Sequence, residues 1–516
     1  MRILLLIGGG ILFATCLFAA PEDEFIGVGE DGWSLVTRDS QTRFIPFGTN
    51  FVLNDKKYLN LFGPDVYDRE RYDRVLAAIE ELGFNTVKVF LPIAQVLPDP
   101  QVPGEARIAP GYLENLDDFL TLARKHRIRV IVTLASWGGN KIKWWHEGGQ
   151  YFGRKPWKTD DGIDSLDVLT RFWTTLCTRL RDNPTVFSYT PAVEWSFPAG
   201  NLTWIHPKKQ AGRLESEPGL FYWRAFLRAR YGGDIAKLNE AYGTEYERFS
   251  DVPIVDFTYL GREKRYADPD AKVLDYQNFR EWACMRYFRP QIAAIRCADP
   301  NHMVTLSNHS RKPMGLWPGA ARYFSGFSVP EQSPLVDYLS THDNHSESKL
   351  KPGQTIDDVV KGCILRARFC NAFKPMPVMI EEYSFASRDP QRVADGQGRI
   401  VLGTVGHASG WMNWYLQYPR NPNQADTPDR SAILNDDLTP TPWGVRAKEL
   451  IRNLRDMDLS RKPAARVIDL DRRKELVPKT LGTEHRIRRN WEDCRHPVDF
   501  RWPKNPWIDL KLTEER

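Results

Sequence analysis

The chain has 516 residues, 42% hydrophobic and 27% charged, the proportions of an ordinary globular protein able to build a sizeable core. Its net charge is +5, and residues 461–516 account for the whole excess, with fifteen Lys/Arg against ten Asp/Glu. The rest is balanced, so a nucleic-acid enzyme is not expected, and the "RIRR" at 486–489 reads as a solvated charged face.

The N-terminus, "MRILLLIGGGILFATCLFAAPEDEF", has a basic start, an apolar run and small residues before an acidic stretch. This is a secretory signal pattern, too short and wrongly flanked for a permanent membrane helix. It predicts cleavage near Ala19–Ala20 and a secreted or periplasmic mature chain. Lipid anchoring at Cys16 is not expected, because Phe13 and Thr15 fit a lipoprotein signal poorly. No other segment is long and apolar enough to span a bilayer.

From residue 44 onward, β-like runs are mostly separated by helical ones. "FIPFGTNFV" (44–52) precedes "RERYDRVLAAIEELG" (69–83), where Tyr72, Leu76 and Ile79 recur at helical spacing. "NTVKVFL" (85–91) precedes a helix near 112–126, and "RVIVTLAS" (129–136) leads through a long loop to a helix at 166–182. "VFSYTPAVEW" (186–195) follows directly. Then come "HMVTLSNHS" (302–310), "VDYLSTHDNH" (336–345), "MPVMIEEY" (376–383) and "SGWMNWYLQY" (409–418).

Eight candidate strands alternating with helices predict an α/β fold, a (β/α)8 TIM barrel, with a long helical insertion after strand four and an irregular C-terminal tail. No Gly-rich dinucleotide fingerprint follows an early strand, which weighs against a doubly wound sheet. The expected organisation is a signal peptide at 1–20 and a barrel over 21–456. The insertion, about 196–300, is expected to roof one side of the barrel mouth. A tail over 457–516 should wrap the barrel without a second core. Six cysteines remain after Cys16 and show no close CxxC spacing, so no metal site is expected. Cys363 and Cys370 lie about two helical turns apart, roughly 10 Å, too far to bridge each other.

Chemistry in such a barrel sits at the C-terminal strand ends. Two of those ends present glutamates: Glu194 in "SYTPAVEWSFP", and Glu381 and Glu382 in "PMPVMIEEYSF". Paired carboxylates at a barrel mouth suit glycosidic bond cleavage, one protonated to donate to the leaving oxygen and one ionised to attack or to activate water. Alternation along an unbroken strand predicts that Val378, Ile380 and Glu382 share the inward face. Glu381 would then face the helix layer, held by an ion pair or backbone hydrogen bonds.

These motifs resemble glycoside hydrolase family 5 and its wider clan of retaining (β/α)8 glycosidases, most closely the endo-β-mannanases. The likeness runs through "FGTNFVL", "LGFNTVKVFL", "LASWGGNKIKWWHEGGQYFGRKPW", "NPTVFSYTPAVEW" and "PVMIEEYS", in that order, and covers residues 44–195 and 300–418. It implies that Glu194, ending strand four, is the acid/base and that Glu382, ending strand seven, is the nucleophile. Lys88 occupies the slot of an arginine that braces the nucleophile, keeping the charge but losing the bidentate fork. Val193 stands where an asparagine normally holds the sugar 2-hydroxyl, and Asn344 stands where a tyrosine is expected. His342 matches a strand-six histidine, and Trp414, with Trp411 as the alternative, matches a tryptophan that floors the −1 subsite. The insertion "FYWRAFLRARYGGDIAKLNEAYGTEYERFSDV" is similar to the matching region of family 42 β-galactosidases of the same clan.

Sugars stack their C–H faces on indole rings, and the chain has 17 Trp. Trp137, Trp144 and Trp145 in the loop after strand three, with Trp195 beside Glu194, are candidate sugar platforms. Trp157 lies near the same loop, and Asn308, His309 and His342 are candidate hydroxyl contacts. The implied function is a secreted retaining β-glycoside hydrolase that needs no cofactor and acts on a carbohydrate, β-mannan type first. The alternatives are a β-galactosidase or β-glucosidase-like exo-enzyme, or a catalytically degenerate carbohydrate-binding barrel.

Overall fold

The computed structural model describes residues 23–54, 60–135, 142, 144, 163–191, 193, 217–253, 271–308, 328–350, 352–418, 431–464, 466–469, 498–501 and 505–512. At its centre are eight parallel strands. Strands one to four are Phe47–Asn50, Thr86–Pro92, Arg129–Ala135 and Val186–Thr190. Strand five is in two pieces, Met303–Val304 and Ser307–Asn308, and strands six to eight are Leu339–Ser346, Val378–Ala386 and Gly410–Asn413. Strand eight pairs with strand one. The split strand closes the other side of the ring, Met303–Val304 pairing with strand four and Ser307–Asn308 with strand six. The pattern is a closed (β/α)8 barrel.

Local chemistry explains the elements. The helix Arg69–Glu81 starts where the Asp68 side chain accepts from the Arg71 amide, and it buries Tyr72, Val75, Leu76 and Ile79 on one face. Asp164 caps Ser165–Leu180 in the same way. A Thr355/Asp358 capping box opens Ile356–Asn371, and Pro442 follows the Thr441 cap of Pro442–Leu454. In strand one, a Cβ at Gly48 would lie 2.1 Å from the Thr86 carbonyl oxygen, so only glycine fits between strands one and two there.

The first strand is shorter than the run 44–52 suggests. Pro46 lacks an amide to donate, and before it Arg43–Phe44 join Ile26–Val28 and Leu35–Thr37 in a small antiparallel sheet. Ile26, Leu35 and Phe44 from that sheet pack with Ile131, Phe187, Met303, Tyr338, Met379 and Met412 from the barrel strands. This apolar plug fills one level of the barrel interior. A second apolar group, Val52, Phe90, Ala135, Val193, Tyr415 and Ala432, with Trp414 and Tyr418 against it, forms a collar near the C-terminal strand ends. The larger core lies between strands and helices.

Within the insertion, Ala271–Ala298 packs along Ser165–Leu180, where the Trp173 indole donates to Gln291. Glu217–Arg230 and Ile235–Tyr242 dock on it through buried Asp275, which accepts from Tyr231, Tyr242 and Arg230. Residues 196–216 and 254–270 of the insertion lie outside the described residues. In the tail, Arg466–Asp469 pairs with Val498–Arg501, and Trp282 donates to the Leu510 carbonyl at 3.0 Å. The expected signal peptide lies outside the described residues. Among those described, no helix is long and apolar enough to cross a membrane.

Candidate active site

Strand two sets the inner face of the site. Val87, Val89 and Leu91 join the core under the helices, so the alternate residues Lys88 and Phe90 point into the barrel. Strand seven starts the same way, with Val378 and Ile380 in the helix-side core and Met379 in the interior plug. This corrects the expected facing: Val378 and Ile380 are outward, and Glu381 is inward with Met379, bonded to Lys88 from across the barrel.

Glu382 also faces inward, because the strand is bulged. Thr341 pairs with Ile380 but His342 pairs with Glu382, so Glu381 is an extra residue against strand six. On the other edge, Ile380 pairs with Trp411 and Tyr383 with Asn413, leaving two residues of strand seven opposite one of strand eight. A bulge places two successive side chains on one side of a sheet. Tyr383 and Phe385 then return to the helix-side core. The Asn50 amide braces the turn, donating at 3.0 Å to the carbonyls of both Glu381 and Asn413.

The two carboxylates converge on one ammonium. Lys88 Nζ lies 3.0 Å from Glu381 Oε2 and 3.6 Å from Glu382 Oε1, and it donates to Ser307 Oγ at 2.9 Å. Ser307 Oγ is 2.7 Å from His342 Nε2, and His342 Nδ1 is 3.1 Å from Glu382 Oε2. The Ser307 oxygen accepts a hydrogen bond from Lys88 and so links strand two to the His342 ring of strand six. Asn344 Nδ2 reaches the same Glu382 oxygen at 3.5 Å and is steadied by Ser384, which donates to Asn344 Oδ1. Both Glu382 oxygens are thus held, one by Lys88 and the other from strand six.

The neighbours treat the two glutamates differently. Glu381 has no exposed surface, and Tyr338 donates to its Oε1 at 3.4 Å. Burial pushes its carboxyl up, but Lys88, His342 and Ser307 together more than reverse this, so Glu381 is held below its ordinary value. Glu382 keeps 4% of its surface exposed, at the end nearer the collar. Val193 belongs to that collar and forms a parallel bridge with Ser307, so the segment just before Glu194 runs beside strand five.

Of the residues singled out from sequence, Lys88, His342 and Glu382 therefore meet in one cluster. Trp414 is half-buried in the collar, its ring edge-on to Phe90 at 6.3 Å, whereas Trp411 is fully buried and donates to Thr404 Oγ1. Trp414 is thus the tryptophan at the mouth and Trp411 is packing. Trp144 is a correction. It is buried in the helix-side core rather than an open platform, and its indole donates to the Leu97 carbonyl at 3.0 Å. Glu194, Trp137, Trp145, Trp157, Trp195 and His309 lie outside the described residues, as does the Asn308 side chain; the Asn308 backbone ends strand five.

Ser307, Tyr338 and Asn50 were not singled out from sequence. The available signal for Ser307 was its place beside Asn308 at a strand's polar C-terminal end. Tyr338 and Asn50 gave none, because their partners come from distant strands.

A closed (β/α)8 barrel with a braced, inward-facing glutamate midway along strand seven is an arrangement that suits glycosidic bond cleavage. A family model described as Glyco_hydro_42, beta-galactosidase, matches residues 197–457, and the chain belongs to that family. Among solved structures, it is similar to GH5_18 from Streptomyces cattleya in complex with GlcNAc, with 13% identity, TM-score 0.55, 89% of this chain and 94% of that chain. It is also similar to Gan42B, a GH42 beta-galactosidase from G. stearothermophilus, with 15% identity, TM-score 0.62, 89% of this chain and 65% of that one. A third is the exo-beta-1,4-mannosidase Op5Man5 from Opitutaceae bacterium strain TAV5, with 13% identity, TM-score 0.57, 92% of this chain and 72% of that chain. The chain thus spans slightly less than two thirds of Gan42B. No curated protein sequence matches it.

Proposed function

We propose that this β-glycoside hydrolase is an exported, retaining enzyme working by double displacement, with Glu382 as nucleophile and Glu194 as acid/base. The observation that carries the reading is Glu382 held at both oxygens, by Lys88 and by His342, beside the collar. In the first step a Glu382 oxygen bonds to the anomeric carbon, the bond to the leaving oxygen breaks, and Glu194 gives that oxygen its proton. In the second, Glu194 takes a proton from water, the water oxygen bonds to the anomeric carbon, and Glu382 leaves as a carboxylate. Trp414 would floor the sugar, with Asn308, His342 and the loop tryptophans contacting substrate.

For the substrate we favour a β-manno-configured sugar. Val193 offers no hydrogen bond where an equatorial 2-hydroxyl would ask for one, and in a mannoside that oxygen is axial and displaced from that line. A β-galactoside is the second reading, supported by the family match. The N-terminal pattern supports export, with 1–20 removed, 21–456 as the barrel and 457–516 as its wrapping tail. Aryl β-D-mannoside, β-D-glucoside and β-D-galactoside assayed side by side test the substrate. The highest kcat/KM is expected on the mannoside, and a clear preference for the galactoside would replace that reading with the second.

A further inference from the structure

Glu381 is a buried acid that the double displacement does not use. It sits 3.0 Å from Lys88 and on the same side of the bulge as Glu382. Lysine carries three ammonium protons on a flexible stem, whereas a guanidinium would present a rigid fork. A lone lysine facing Glu382 would therefore need something else to fix its direction. Here Ser307 and Glu381 take two of the three protons, leaving the third for Glu382 Oε1, 3.6 Å away.

Charge matters as well as direction. A full, unbalanced positive charge against a carboxylate lowers its basicity, and a less basic carboxylate is a weaker nucleophile. The groups facing Glu382 among the described residues are Lys88 from strand two, Glu381 from its own strand, and His342 and Asn344 from strand six. Ser307 from strand five and Tyr338, before strand six, act on Lys88 and Glu381. Strand eight contributes no titratable group, only Asn413 and the half-buried Trp414. Lys88 is the cation at the centre of this set, and Glu381 is the anion that offsets it.

We propose that Glu381 is a positioning residue for Glu382, acting through Lys88: it aims the ammonium and cancels its charge, so that Glu382 is aligned without being over-stabilised. The inference rests on the reading of Glu382 as nucleophile. It accounts for a feature of strand seven that the displacement alone leaves idle, namely two adjacent glutamates brought to the same face by a bulge.

The test uses the full chain and two variants, Glu381→Gln and the charge-neutral double Lys88→Met with Glu381→Gln. The readout is the pH dependence of Glu382 labelling by β-manno- and β-galacto-configured cyclophellitol aziridines, located by peptide mass spectrometry, alongside kcat/KM on aryl glycosides. Glu381→Gln leaves Lys88 uncompensated, so the acidic limb should move down by about one pH unit and labelling near neutral pH should slow by roughly tenfold. The double variant removes both charges, so its limb should return close to the native position. It also avoids a buried unpaired lysine, which keeps the test valid should the single variant fold poorly. Slower labelling with an unmoved limb in both variants would reduce Glu381 to a packing role and overturn the proposal. No labelling of Glu382 in the native protein would overturn the nucleophile assignment itself.

Discussion

Strand six carries a buried charged cluster on each face, and the two differ in how their charges balance. Outward, Asp343 meets Arg366 one to one, with His345 and Cys363 packed beside them against the helix Ile356–Asn371. Burial pushes the Asp343 carboxyl up, but Arg366 and His345 together outweigh it and hold the group at about 2. Asp343, His345 and Cys363 bring potential ligand atoms within 4.8 Å of one another, but the guanidinium already stands among them as the cation. Inward, two carboxylates share one lysine, with His342 3.1 Å from the second of them. The outer pair seals a helix onto a strand; the second inner carboxylate is the one proposed to attack carbon.

That contrast can be broken from either face. Glu382→Gln removes the second inner carboxylate and should cut hydrolysis by roughly 10³-fold or more while leaving thermal unfolding near native. A fully active variant would sink the assignment. Arg366→Met should do the opposite. It strands Asp343 without its cation and should cost about 3–5 kcal/mol in urea unfolding, with activity per folded molecule retained. Loss of activity without loss of stability would mean that the outer cluster serves the site.

Acid should separate the two faces more gently. The folded value of Asp343 lies below its unfolded value, so its stabilisation is fully present above about pH 4 and is lost as pH falls through about 2. The contribution is about 2 kcal/mol, and Glu381 adds to it with the same sign. Unfolding free energy measured from pH 6 down to pH 2 should therefore fall, and an Asp343→Asn variant should fall less steeply. The smallest effect is expected at Trp144. Trp144→Phe loses one buried hydrogen bond to Leu97 and should cost about 1 kcal/mol with KM unchanged. A raised KM would return Trp144 to the substrate path.

Much of the barrel was legible because strand and helix periods alternate in order, and Lys88, His342 and Glu382 were legible because they match positions of the family that the sequence resembles. The facing of the two glutamates was not. Alternation assumes an unbroken pleat, and only the register against strands six and eight shows that one residue is extra. The same limit hid Ser307, whose partners Lys88 and His342 come from strands two and six. Trp144 misled because a polar, Gly-rich loop looks exposed in sequence, while a distant carbonyl decides where its indole goes.

The most direct test of the central claim is the stereochemistry of the first product, followed by proton NMR as the preferred aryl β-glycoside is hydrolysed. Attack by Glu382 followed by water predicts that the β-anomer appears first and the α-anomer only later, by mutarotation. Initial release of the α-anomer would mean a single displacement by water, and Glu382 could not be the nucleophile.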